Sequence, residues 1–269
     1  MKLSFPIFLL LLVVSYSQMA CLEPVEGCTN PRAQNFNPEA DVNLDCNYYQ
    51  LQLEMQYTTN GLDTFEYGTL LTDADGTPFV LNKMPILISQ MHLIETSSNE
   101  VQQSPELLSV FNSSGERRYT EDNFGILRPT AYQINMAGWT ALSDYDTLEF
   151  LVGVSSDVRN TNPAQIEESG HPLSTSASTY MYDSTSNQYL TSIAAVVLTQ
   201  SGQQITTKLF SEQMIRLPYQ ITSIDGQNVP IKIRLNYAAL FAGVSFSRDT
   251  EAVIVDKIEQ NMPRAFSTF

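Results

Sequence analysis

Met91 and His92 stand side by side, and the chain's other histidine, His171, lies shortly before Met181. Imidazole nitrogen and thioether sulfur together suit Cu(I), a soft ion. His92, His171, Met91 and Met181 are therefore the candidate metal ligands, with Met136 as a further thioether. The histidines form no H-x-H or H-x-x-x-H pair, and methionines mainly fill cores. A plainer account stands beside the metal. His92 then belongs to a strand, on one face with Ile86, Ile88, Gln90 and Ile94, half-buried and bonded to a neighbour. His171, in the polar stretch SGHPL, is then a solvated turn residue.

Turnover chemistry finds less support. The chain has no G-x-S-x-G elbow, no P-loop and no G-x-G-x-x-G, the local signatures of acyl transfer, phosphate cradling and dinucleotide binding. The expectation is a binding protein and not an enzyme. The formal net charge of −15, with no basic run, excludes nucleic acid, whose phosphates demand Lys and Arg. It also repels anionic headgroups, so the body of the protein is expected to stand off a membrane surface.

The three cysteines are all near the start. MKLSFPIFLLLLVVSYSQMAC has one Lys, a long apolar run and small residues before Cys21, the pattern of a secretory leader. Met19-Ala20-Cys21 resembles the lipobox of bacterial lipoproteins. That resemblance implies cleavage after residue 20, a diacylglycerol on Cys21 and attachment to the cell envelope at the outer membrane, on its periplasmic or surface face. With Cys21 lipidated, Cys28 and Cys46 remain as one pair, and an oxidising compartment lets them bond. No histidine lies near them, which leaves a zinc site little support. GCTNPRAQNFNPEADVNLDCNY also resembles a short cysteine-bracketed module of exported Bacteroidetes proteins. Within it Asp41, Asn43 and Asp45 alternate as in the first half of a calcium loop, though no bidentate Glu follows. The expected organisation is a leader over 1–20, a lipid-anchored, stapled linker over 21–47, and one domain over 48–269.

The elements that must carry these residues read mainly as strands. YQLQLEMQY sets Leu51, Leu53, Met55 and Tyr57 against four polar partners, and VPIKIRLNY repeats the alternation through Val229, Ile231, Ile233, Leu235 and Tyr237. A period of two is a half-buried strand. TLEFLVGV groups Leu148, Phe150, Val152 and Val154; Ser201-Gly202 and Asp75-Gly76 read as hairpin turns. The fold class is mainly β, an antiparallel sandwich or barrel-like domain with one or two short helices. The helices are expected at 104–111, with Ser104 as cap and Pro105 at the first position, and near the end, where Ile254, Ile258 and Met262 recur until Pro263 interrupts. The polar stretches 96–125 and 155–190 read as loops, where function usually sits.

Pieces of the long domain come in a familiar order. LQLEMQYTTNG and LLTDADGTPFVLNKMPILISQMHL are followed by LEFLVGVSSDVRN, GHPL and TYMYDS, and then by IKIRLNYAALFAG and VDKIEQNMPRAFSTF. This order resembles the MbnP-like family, named for a methanobactin-associated periplasmic protein. The resemblance implies a β-sandwich-like envelope domain, copper bound by histidines and an oxidised tryptophan in some members, and a dihaem peroxidase partner that modifies that tryptophan. Here Tyr182 and Asp183 follow Met181 where the family carries M-x-W-x-W, and the single Trp, Trp139, lies elsewhere. Two expectations follow: a lipid-anchored, copper-handling domain without turnover, or a surface recognition or structural lipoprotein whose loop tyrosines Tyr119, Tyr180, Tyr182 and Tyr189 meet a glycan or protein partner.

Overall fold

The computed structural model describes residues 24–98, 100–111, 114–139, 144–222 and 228–269. The leader and Cys21 lie outside the described residues. The chain forms two compact units, one ending at Asn47 and the other spanning Tyr48–Phe269.

Among its described residues, the first unit has almost no core. Cys28 and Ala33 are buried, while Val25, Phe36, Val42 and Leu44 stay exposed. Two short parallel strands, β1 (Glu26–Gly27) and β2 (Val42–Asn43), give it its only ladder among the described residues. A Cys28–Cys46 disulfide closes the segment, which answers the shortage of apolar burial in so small a unit. Of the three residues expected as calcium ligands, all exposed, Asp41 and Asn43 bond the backbone through their side chains. Asp41 accepts the amide of Val25 at 3.1 Å, and Asn43 accepts the amide of Thr29 at 2.9 Å. Asp45 sits at φ 53° and its carbonyl accepts from Asn35.

The second unit is a sandwich. Along the chain come β3 (Tyr49–Thr58), β4 (Leu70–Thr72), β5 (Pro78–Lys83), β6 (Ile86–Glu95), β7 (Glu100–Gln102), β8 (Leu107–Phe111), β9 (Arg117–Glu121), β10 (Gly125–Leu127), β11 (Gln133–Trp139) and β12 (Asp144–Val152). A stretch of turns with α1 (Ser156–Arg159) and the small hairpin β13 (Tyr182–Asp183) and β14 (Gln188–Tyr189) follows. Then come β15 (Ser192–Leu198), β16 (Gln204–Leu209), β17 (Gln213–Thr222), β18 (Val229–Asn236), α2 (Tyr237–Leu240), α3 (Glu251–Ala265) and β19 (Phe266–Thr268). The larger sheet runs β17-β12-β6-β15-β5-β4, with β7 and β10 on β6 and β16 on β15; the smaller runs β11-β3-β18-β19. Pairing in both sheets is antiparallel except between β3 and β18.

The alternating residues of the sequence meet between these sheets. Leu51, Leu53, Met55 and Tyr57 of β3, with Ile231, Ile233 and Leu235 of β18, pack against Leu148, Phe150 and Val152 of β12, and Ile254, Ile258 and Met262 of α3 join them. Fully burying one such side chain is worth about 1.5–3 kcal/mol. A second cluster, with Leu108, Val110, Phe124, Leu173, Met181 and Tyr189, contains Leu87 of β6, whose neighbours Ile86 and Ile88 belong to the first. Val154 joins this second cluster and not the face of Phe150, because Gly153, at φ 104°, turns the chain first.

Two local expectations are corrected. Residues 104–111 hold no helix: 107–111 form β8, paired with β9. Its burial has period two, with Leu108 and Val110 in and Leu107 out. The Ser104 hydroxyl accepts the nearby amide of Glu106, a local turn rather than a cap. About half of the described residues in 96–125 are thus strand. At the other end, Pro263 does not interrupt α3, which continues to Ala265; the proline removes the N–H that would reach the Glu259 carbonyl, and the helix ends two residues later.

Candidate functional site

The site begins with a break in β6. Glu149 pairs with His92 and Leu151 with Ser89, so Gln90 and Met91 together face one residue of β12. This is a β-bulge, which re-aims the side chains beyond it. Gln90 takes φ 50°. The Asn123 side chain satisfies the freed backbone, accepting the Gln90 amide at 2.7 Å and donating to the Met91 carbonyl. Ile86 and Ile88 before the bulge, and Met91 and Leu93 after it, all reach the inter-sheet core. His92 is thereby moved to the opposite face from Ile86 and Ile88, which corrects the uninterrupted alternation expected for this strand.

There His92 stands between two carboxylates. Its Nε2 lies 3.1 Å and 3.2 Å from the two oxygens of Glu121, and its Nδ1 3.8 Å from Glu149. Glu149 is itself paired with Arg216 of β17. Burial pulls the imidazole pKa down, but the bond to Glu121 and the charges of Glu121 and Glu149 outweigh it, so the His92 pKa lies above its ordinary 6.5. Glu121 also accepts from the Ser104 amide and the Asn123 side chain.

The next residue, Asp122, lines a pocket of about 480 Å³. Its walls come from 122–128, 131–136 and 168–178, with Glu106, Arg128, Gln133 and Asn135 among the polar groups. Tyr57 fixes one wall: its hydroxyl donates to the Ala131 carbonyl at 2.8 Å and accepts the Arg128 amide at 3.1 Å. Burial drives that phenol's pKa up. Arg128 gives Nη1 to Thr179, while its buried Nε has no hydrogen-bond partner. Glu106 accepts the amide of Gly138, so close that any Cβ at Gly138 would lie 2.5 Å from the carboxylate.

His171 meets Asp122 at this pocket. Nε2 lies 2.9 Å from Asp122 Oδ1, and Nδ1 accepts the amide of Leu173 at 3.1 Å. An acceptor at Nδ1 places the neutral ring's proton on Nε2, so the ring donates to Asp122. Phe124 packs edge-on to the imidazole at 5.5 Å. The ligand atoms of Asp122, Glu168 and His171 lie within 4.8 Å of one another. Glu168 is exposed.

The four expected metal ligands do not converge. Met91 is buried in the inter-sheet core and Met181 in the second cluster. His92 is fastened to Glu121, and His171, 5 % exposed, is a buried and fully bonded residue rather than a solvated turn. Sequence reasoning missed Asp122 and Glu168; the nearest signal for Asp122 is the run Glu121-Asp122-Asn123, in a polar stretch that reads as loop, and Glu168 has none. The loop tyrosines also divide. Tyr119 and Tyr180 are exposed, but Tyr189 is buried, donating to the Leu173 carbonyl at 2.5 Å, with Tyr182 edge-on against it.

Compared with protein-family models, the chain matches none, and it matches no curated protein. Among solved structures it is similar to MbnP from Methylosinus trichosporium, at 11% identity over 71% of this chain and 77% of that one, with a TM-score of 0.39.

Proposed function

We propose that residues 48–269 are a non-catalytic binding domain of an exported protein, tethered to the cell envelope through Cys21, and that its pocket takes a divalent cation on Asp122 and Glu168. One observation carries this: two carboxylates converge within 4.8 Å on the wall of a 480 Å³ pocket. Like charges so close favour a bound cation.

The donors decide the kind of ion. Carboxylates, with hydroxyls and amide oxygens nearby, suit Mn²⁺, Ca²⁺ or Mg²⁺. The soft pair expected for Cu(I) does not fit. His171 has no free lone pair while Nδ1 accepts Leu173, and Met91 and Met181 are core residues. Copper enters this reading only as Cu²⁺ on the same carboxylates, and His171 acts behind them by orienting Asp122. Two charged ligands at a partly open site make a weak, exchangeable one, with Kd on the order of 10⁻⁴ to 10⁻³ M.

Calorimetric titration with Mn²⁺, Ca²⁺ and Cu²⁺, beside competition for Cu(I), tests the proposal. Binding of a divalent ion that weakens in Glu168→Gln supports it. Binding of Cu(I) alone, or of no ion, refutes it.

A further inference from the structure

We infer that His92 is a positioning residue for the cation-binding carboxylate Asp122, acting through Glu121. The inference rests on the cation reading of the pocket and names what sets that site's affinity.

The geometry is a clamp on consecutive residues. Glu121 ends β9, and Asp122 follows it directly. Neighbouring side chains of an extended chain point to opposite sides. Here one is taken by each histidine: Glu121 by His92 and Asp122 by His171. The Glu121 side holds the more bonds. His92 faces both its oxygens, and Ser104 and Asn123 donate to Oε2 at 3.3 and 3.0 Å. Asn123 in turn closes the bulge at Gln90. The peptide carrying Asp122 is thus held on both sides by groups anchored in β6, and the Asp122 amide donates to the Glu106 carbonyl at 2.9 Å.

The bulge explains why a histidine serves here. It turns His92 off the core face and sets it opposite Glu149. The charged groups facing the ring are Glu121 from β9 and Glu149 from β12, with Arg216 of β17 behind Glu149. Arg216 already takes Glu149, which leaves His92 as the group from the large sheet that holds Glu121. Partners bonded directly to a ligand are worth about 10- to 100-fold in metal affinity; that position is held by His171 on Asp122, and His92 acts one residue further back, through Glu121 and the backbone.

Mn²⁺ affinity, read from the free-ion EPR signal, tests this in the wild type, His92→Leu and His92→Gln, each with its melting temperature. The expected result is a loss of roughly threefold to tenfold in His92→Leu, at or below the lower end of what a directly bonded partner is worth, and recovery of most of it in His92→Gln, whose amide still donates to Glu121. Unchanged affinity in His92→Leu overturns the inference, and so does an equal loss in both variants. If His92→Leu does not fold, Glu121→Ala reads the same clamp: loss supports it and unchanged affinity overturns it. No Mn²⁺ binding by the wild type removes the cation site itself, whereas wild-type binding with unaffected variants removes the clamp alone.

Discussion

His171 Nδ1 accepts the Leu173 amide at 3.1 Å while its Nε2 lies 2.9 Å from Asp122. Both ring nitrogens are occupied, so the residue whose type and family resemblance suggest a copper ligand serves as a bracket between a loop and a carboxylate. His171→Ala should therefore destabilise the domain by about 1.5–3 kcal/mol, the cost of a lost hydrogen bond to a charged group. It should leave Cu(I) competition at the wild-type level. Denaturant unfolding and a Cu(I) titration of the same variant check both halves.

Glu168 behaves in the opposite sense. Its carboxylate shares a 4.8 Å neighbourhood with Asp122, and like charges at that range repel by about 1 kcal/mol in water. Glu168→Gln should weaken Mn²⁺ binding by about tenfold or more, yet leave the apo domain as stable as before or slightly more so. A drop in apo stability together with intact binding would place Glu168 in the scaffold instead.

The raised pKa of His92 has a signed consequence. A group whose pKa is higher folded than unfolded stabilises fully below the unfolded value and loses that contribution as pH rises through the folded value. With an ordinary value of 6.5, the His92 contribution should be complete below about pH 6.5 and fade above it. Unfolding free energies measured from pH 6 to pH 8.5 should decline in the wild type relative to His92→Gln. Parallel curves for the two proteins would mean that Glu121 and Glu149 do not hold the charged ring.

Tyr57 offers a test of the pocket wall. Its hydroxyl joins the Ala131 carbonyl and the Arg128 amide, 74 and 71 residues away in sequence. Tyr57→Phe strands both backbone groups at a cost of about 1–3 kcal/mol. Thermal unfolding reads the loss, and Mn²⁺ affinity should fall with it only if the 128–131 turn shapes the cation site.

The sandwich was legible because alternation along β3, β18 and β12 states which face is buried. It failed where one residue changes the phase: the bulge at Gln90 moves His92 to the other face, and Gly153 moves Val154. It failed also at Ser104-Pro105, where good helix-start residues precede a segment whose burial has period two. The candidate site was the least legible part. Asp122, Glu168 and His171 are brought together by turns and by Phe124 packing, and no local spacing encodes that. Only the run Glu121-Asp122-Asn123 hinted at it, and its meaning comes from two partners that lie far off in sequence.

The Cys28–Cys46 pair carries the last prediction. The unit over residues 24–47 buries little besides Cys28 and Ala33, so its order rests on the bridge and on side-chain bonds such as Asp41 to Val25 and Asn43 to Thr29. A bridge across a sequence separation of 18 lowers the entropy of the open chain by about 3 kcal/mol, more than so small a core supplies. Arg32 is exposed within the loop. Trypsin should cut after Arg32 slowly while the bridge stands and at least about tenfold faster once it is reduced, since a stability change of that size moves the open fraction by more than a factor of ten. Mass spectrometry of timed digests reads the rate. Equal rates in both redox states would show that the side-chain bonds alone keep the segment folded.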